Sequence, residues 1–248
     1  MKAAGDTIMK PLNMQEWLFY ENLHKLSELN LIPKHLFPGY RGRTRLPNST
    51  GEMTDWLILE NLCLGMTNPS IMDLKIGSSS MGATKAGAVK KVKQSVVKAI
   101  STSSTLGFRV AGMKVFVKDH HETKSKNYGL SLTQKNVHTA FEEFLSPNGV
   151  LQRDLLDQMH NQLKEIRTFF NQQQLLSFNS SSLLILYEHT RLIVRLIDFA
   201  HCFPLTGESN SLGFVSCGPI NTDPLPSITR NHSLHRSLGG ASNKSQIQ

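Results

Sequence analysis

Between Pro69 and Gly77 the chain reads Pro-Ser-Ile-Met-Asp-Leu-Lys-Ile-Gly, an apolar stretch that holds one acid and one base two positions apart. Successive side chains of a strand point to opposite faces, so Asp73 and Lys75 share one face while Met72, Leu74 and Ile76 share the other. The apolar face suits a packing surface. The charged face must meet a partner, because a buried charge is costly unless it is paired or works on a ligand. A structural Asp/Lys pair at a strand end and a phosphate site both satisfy that demand.

Composition narrows the class of partner. The 248 residues suffice for one large domain or two small lobes, and 39% hydrophobic residues supply an ordinary core. No apolar run of about 18 residues occurs, and residues 1–10 lack the apolar centre of a signal peptide. Neither membrane insertion nor secretion is expected. Cys63, Cys202 and Cys217 are odd in number and widely spaced, so they build neither a disulfide framework nor a Cys-x-x-Cys metal site. This fits a cytoplasmic or nuclear location. A formal charge of +8 and a pI near 9.5 favour an anionic partner: nucleic acid, acidic lipid headgroups or a polyphosphorylated small molecule. With 7% aromatics and no recognisable module, nucleic acid is not expected.

Residues 6–62 read as a small mixed lobe: a strand at Thr7 to Lys10, a helix from Asn13 to Leu29, and strands at Tyr40 to Leu46 and Asp55 to Leu59. Turn residues separate them. Asn61 to Asn68 lacks periodicity, as a hinge would. From Lys85 to Ser101 the pattern is helical, with Val89, Val92, Val96 and Ile100 on one face and Lys91, Gln94 and Lys98 opposite, a stripe whose default explanation is a solvated surface. Gly107 to Val117 reads as a strand, and Lys118 to Asn127 as a polar exposed loop in which His120-His121 lack a third metal ligand. Helices follow at Thr133 to Leu145 and Leu151 to Leu176, the second with Leu155, Met159, Leu163, Ile166 and Phe170 as its apolar stripe. Leu183 to Tyr187 and Leu192 to Ile197 read as a hairpin with a four-residue connection, and Asp198 follows where its second strand ends. That acid has the chemistry for Mg2+, although without the neighbouring motifs a turn-forming Asp is the preferred reading. Residues 205–248, rich in Ser, Asn, Gly and Pro, read as a disordered tail.

Residue identities add more. Pro69, Asp73, Lys75 and Gly77 fill the fixed positions of Pro-x-x-x-Asp-x-Lys-x-Gly, and in order along the chain stand Lys10-Pro11-Leu12 with Glu16-x-x-Phe19-Tyr20-Glu21, Leu59-Glu60-Asn61-Leu62, Thr105 to Met113, Ser181-Ser182-Leu183-Leu184 and Ile197-Asp198-Phe199-Ala200-His201. Over residues 8 to 204 this set resembles the inositol polyphosphate kinase family. Downstream, Gly218-Pro219-Ile220-Asn221 is at best a remnant of the family's Gly-Pro-Asp-x-Gly-Tyr type segment.

The resemblance implies an α+β, two-lobed, kinase-like fold: an ATP-binding lobe over 6–62, a larger α+β catalytic and inositol phosphate-binding lobe over 63–204, and an atypical tail. It implies ATP and Mg2+ as cofactors, an inositol polyphosphate as substrate, and a monomer. Lys10 would hold the ATP phosphates, oriented by Glu16, and the backbone of Glu60 and Leu62 would receive adenine. Asp73 would bond the ribose, Lys75 would reach the transferred phosphate and the acceptor, and Asp198 would bind the metal. His201, Lys91, Gln94 and Lys98 would grip the substrate. Ser181 and Ser182 match a motif needed for activity in relatives, although their setting alone predicts only strand-start hydrogen bonds. Each residue also has an ordinary reading: Lys10 as a surface lysine, Glu16 as an exposed helix acid, His201 as a loop histidine. No Gly-x-Gly-x-x-Gly loop stands near the N-terminus, unlike an ordinary protein kinase.

Asp73-Leu74-Lys75, the run from Ser101 to Phe108 and Tyr128-Gly129-Leu130-Ser131-Leu132 look most like inositol hexakisphosphate kinases, which make pyrophosphates. Ile71-Met72 and Ile76 also occur in inositol polyphosphate multikinases, which act on lower inositol phosphates. The divergent segment after Pro204 admits a further alternative, a truncated relative that binds inositol phosphates without turnover.

Overall fold

The computed structural model describes residues 1–48, 50–77 and 101–205. All belong to one compact unit, Met1–Cys217. The expected helix at Lys85 to Ser101, including Lys91, Gln94 and Lys98, lies outside the described residues except at Ser101, as does the tail beyond Leu205.

The first sheet is antiparallel, in the order β1-β2-β4-β3, from β1 (Lys2–Ala4), β2 (Thr7–Pro11), β3 (Tyr40–Pro47) and β4 (Met53–Glu60). Helix α1 (Met14–Glu28) follows β2 after a two-residue link, and Asn13 caps it, its Oδ1 accepting from the Glu16 N–H at 3.1 Å. A short polar side chain at this position satisfies a donor that the first helical turn leaves open. From α1 the chain passes through a 3-10 turn at Lys34–Leu36 to β3.

The second sheet runs β10-β9-β5-β6-β7, with β5 (Ser70–Ile76) at its centre, flanked by β6 (Phe108–Val117) and β9 (Ser182–Glu188); β7 (His120–Lys124) and β10 (Arg191–Ile197) are its edges. The alternation read in β5 is present: Ser70, Met72 and Leu74 are buried, and Ile71, Asp73 and Lys75 are half-buried. The segment read as a polar loop after Val117 instead turns at once into β7, because pairing with β6 satisfies its backbone: Val117 faces His120 and Met113 faces Lys124. The hairpin connection is likewise shorter than expected. Pairing continues to Glu188 and Arg191, leaving only His189 and Thr190 in the turn, with His189 at φ 51°.

Among the described residues, four helices accompany this sheet: α2 (Ser103–Leu106), α3 (Lys126–Ser131), α4 (His138–Leu145) and α5 (Arg153–Gln172). The expected helix from Thr133 therefore begins at His138, because Thr133 is tied into a turn by Asn136, whose Oδ1 accepts from its N–H and hydroxyl. Gly129 lets α3 lie directly on β6, since a Cβ there would stand 1.9 Å from the Val110 carbonyl oxygen. Helix α5 ends at Gln172 rather than Leu176, which instead enters β8 (Leu176–Phe178); β8 pairs with β11 (Cys202–Pro204). Buried on α5 are Leu155, Met159, Ile166 and Phe169, with Leu163 and Phe170 only partly covered.

Helix α5 also closes the open edge of β10. Gln158 Nε2 donates to Thr190 O at 2.8 Å while its Oε1 accepts from the Leu192 N–H at 3.1 Å. One turn on, Gln162 Nε2 donates to Leu192 O and its Oε1 accepts from the Val194 N–H, both at 2.9 Å. Two amides four residues apart thus act as a surrogate strand, satisfying backbone groups that an edge leaves unpaired. Replacing Gln162 by Leu is expected to cost roughly 1–3 kcal/mol, the range for stranding a buried hydrogen-bonding group. Urea unfolding with an unchanged slope checks this.

Candidate functional site

The short link from β2 to α1 sets the first pair. Lys10, near the end of β2, and Glu16, in the first turn of α1, meet with Nζ at 3.0 Å from Oε1 and 2.9 Å from Oε2. Glu16 is 2% exposed, so the reading of an exposed helix acid is replaced by a buried, fully engaged carboxylate. The Phe199 N–H adds a third bond, to Glu16 Oε1 at 3.3 Å. Lys10 is no free surface lysine either. Burial pulls its pKa down, but the charges of Glu16 and Asp198 outweigh that and raise it above the ordinary value.

Asp198 follows the last residue of β10 in a left-handed conformation, φ 63°, which Asp tolerates better than most residues. It reaches Lys10 through Oδ1 at 3.2 Å while its side chain stays 52% exposed. The turn is anchored by Phe199, which is fully buried and stacked on Phe19 of α1 with centroids 4.1 Å apart. A second tie comes from Gln15, whose Nε2 donates to Cys202 O at 3.0 Å.

On β5, Asp73 and Lys75 share a face as the spacing required. Lys75 faces Arg109 on β6 and Ser182 on β9. A bulge at Ala111 of β6 lies beside them, where the partner of Asp73 is Gly112 and that of Leu74 is Val110. Burial raises the Asp73 pKa and the nearby Asp198 charge raises it further, while a hydrogen bond with Ser182 and the charges of Lys75 and Arg109 oppose the rise. Its Oδ1 is buried without a partner among the described residues. Lys75 donates from Nζ to Ser180 O at 2.8 Å, and burial, followed by repulsion from Arg109, lowers its pKa. Lys126, at the start of α3, repels it as well.

Sequence reasoning missed Arg109 and Lys126 as site residues. Arg109 Nε is buried without a partner among the described residues, and one of its terminal nitrogens makes a long 3.4 Å contact to Ser103 Oγ. Such a guanidinium retains donors for an anion. Strand register could have flagged it only once β6 was known to pair with β5. Ser181 and Ser182 do more than start a strand: Ser181 Oγ lies 3.2 Å from Cys202 Sγ, and Ser182 steadies Asp73. His201 sits exposed in the turn after Asp198.

At the end of β4 the Glu60 N–H donates to Gly39 O at 2.8 Å, and its Oε2 accepts from the Gly39 N–H at 2.9 Å. Leu62 lies two residues on, half-buried in the turn that follows. Among the described residues no cluster of three His, Cys, Asp or Glu could hold a metal. A single half-exposed carboxylate such as Asp198 still fits Mg2+, which takes one or two carboxylates and draws its other ligands from water and phosphate.

Comparison with known proteins gives the same family as the motifs. The inositol polyphosphate kinase family model matches residues 56–217. Inositol hexakisphosphate kinase 3 of Homo sapiens is 31% identical over 59% of this chain and 43% of its own length. Inositol polyphosphate multikinase beta of Arabidopsis thaliana is 29% identical over 84% of this chain and 80% of its own. The chain thus spans less than half of the first relative and most of the second. Among solved structures, the inositol phosphate multikinase Ipk2 of S. cerevisiae, in complex with ADP and Mn2+, superposes with a TM-score of 0.65 at 26% identity, covering 82% of this chain and 91% of that one. With the matched region spanning well over half its length, the chain belongs to the inositol polyphosphate kinase family.

Proposed function

We propose that the protein transfers a phosphoryl group from ATP to an inositol polyphosphate, with inositol hexakisphosphate as acceptor and a pyrophosphate as product. The observation that carries this reading is the position of Asp198: it is bonded to Lys10, and its charge acts on both Asp73 and Lys75. Acids and cations from β2, β5 and the end of β10 thereby converge on one place. Phosphoryl transfer asks for such an arrangement, because it depends on alignment and charge neutralisation rather than on covalent chemistry by the protein.

In this reading residues 6–62 form the ATP-binding lobe and residues 63–204 the lobe that binds the acceptor. Glu16 holds the Lys10 ammonium against the ATP phosphates. The backbone of Glu60 and Leu62 receives adenine, and Asp73 offers its unpartnered Oδ1 to the ribose hydroxyls. Lys75 and Arg109 meet the transferred phosphate and the acceptor, while Lys91, Gln94, Lys98 and His201 hold the acceptor's other phosphates. Asp198 binds Mg2+, which when present supplies further positive charge at the phosphates. Residues 78–100 contain five lysines and no acid, a composition suited to a densely charged anion.

A second reading, a multikinase acting on a lower inositol phosphate, is supported by likeness along the chain: two Arabidopsis thaliana multikinases match 84% and 82% of it, and inositol hexakisphosphate kinase 3 of Homo sapiens matches 59%. Incubation with ATP, magnesium and either inositol hexakisphosphate or less phosphorylated inositols separates the two. Pyrophosphate product supports the first reading, and phosphorylation of lower acceptors alone supports the second. Binding without turnover on any acceptor overturns both.

In that assay Lys75→Ala and Asp198→Ala are each expected to lose at least about 100-fold in turnover. Full activity in either would remove it from the site. The Asp73 carboxyl gives a pH prediction. Its folded pKa lies above the ordinary 3.8, so the folded chain binds this proton more tightly than the unfolded one and loses stability as pH rises from 3.8 through the folded value. The stability of Asp73→Asn relative to the parent should therefore increase across that window and then level off, as read from urea midpoints between pH 3 and 7.

A further inference from the structure

Away from this site, a cavity of about 260 Å3 lies where α1, the 3-10 turn and the start of β3 meet. Its walls include Tyr20, Leu23, Phe37, Pro38 and Tyr40, and the Tyr20 and Tyr40 rings stack with centroids 5.8 Å apart. Three exposed bases, His24, Lys34 and Arg41, stand around it. His24 is paired with Glu28 at 3.3 Å. Lys34 and Arg41 have no ion-pair partner among the described residues.

Arg41 is placed there by a backbone irregularity. It is the extra residue between the pairs Tyr40/Leu59 and Gly42/Ile58, and Gly42 takes φ 112°, a conformation that favours glycine. A bulge of this kind re-aims a side chain out of the regular alternation. The guanidinium lies close to the cavity wall: a Cβ built on Gly39 would stand 3.8 Å from Arg41 Cζ. The end of α1 does not oppose an anion with bare carbonyls, since those of Lys25, Leu26 and Ser27 accept from the N–H groups of Leu29, Leu31 and Asn30.

We propose that this cavity is a second ligand site, for a small organic phosphate built on a ring. Aromatic walls accept the ring. The Arg41 fork and the Lys34 ammonium, arriving from two different segments, take the phosphate. The site adjoins the catalytic framework, because Gly39 in its wall holds both the N–H and the carboxylate of Glu60, and Tyr20 stands on the helix that carries Glu16. This assignment stands independently of the proposed kinase reaction.

Calorimetric titration of the full chain with phenyl phosphate, at fixed ionic strength and without nucleotide, tests it. Saturable binding is expected, with affinity falling about tenfold or more in Arg41→Ala and in Lys34→Ala. Both side chains are exposed, and an unchanged melting temperature verifies that each variant folds; Arg41→Lys, which keeps the charge and loses the fork, is expected to fall between parent and Arg41→Ala. Absence of saturable binding overturns the proposal, as does equal affinity for inorganic phosphate, which would show that no ring is recognised. Affinity kept in Arg41→Ala and Lys34→Ala but lost in Lys75→Ala would put the probe at the kinase site and overturn it too.

Discussion

A carboxylate with almost no access to water, that of Glu16, is the constraint on which the arrangement of the site depends. Burying such a charge is unfavourable unless its oxygens are fully engaged. Here they are, by the Lys10 ammonium and the Phe199 N–H, groups delivered by β2 and by the turn after β10, 183 residues from Glu16 in the latter case. Removing either partner would leave the charge uncompensated, so folding selects the one arrangement in which both are present. The stacking of Phe199 on Phe19 buries apolar surface at the same joint. Electrostatic and apolar terms therefore close the same contact, and Asp198, next to Phe199, is carried into place with it.

The second half of the site rests on sheet register. Strand β5 lies at the centre of its sheet, so Asp73 and Lys75 cannot swing out to solvent as they could on an edge. Their neighbours are set by pairing: Arg109 from one side and Ser182 from the other. The result is a half-buried cluster in which Lys75 is held below its ordinary pKa and Asp73 above its own. Both shifts state that these groups are only partly compensated within the protein. Groups in that condition gain most from a ligand that brings the missing charge and hydrogen bonds.

Much of this was legible beforehand. The period-2 alternation of β5, the helix after Asn13 and three of the four strands of the first sheet are local properties, and the structure has them. What failed also has local causes. His120 to Lys124 is polar enough to resemble a loop, yet its backbone is claimed by β6, and propensity yields to pairing. Leu176 continues the apolar pattern of α5 but leaves the helix to pair with Pro204, across a separation no helical period reveals. Nothing in the local sequence assigns Gln158 and Gln162 to a strand edge, and only the position of α5 on β10 turns them into an edge closure.

The sequence alone determined the types of side chain available and their spacing within each element: an acid and a base on one face of β5, a lysine ahead of a helix, an acid at the end of a hairpin. Spacing within an element follows from backbone geometry, which is the same in any fold. Tertiary structure alone decided which of these faces meet. It joined Lys10 to Asp198 at 3.2 Å across 188 residues, added Arg109 and Lys126 around Lys75, and buried Glu16. Those outcomes depend on long-range packing and on the cost of leaving a buried charge unpaired, and neither is a property of any segment taken by itself.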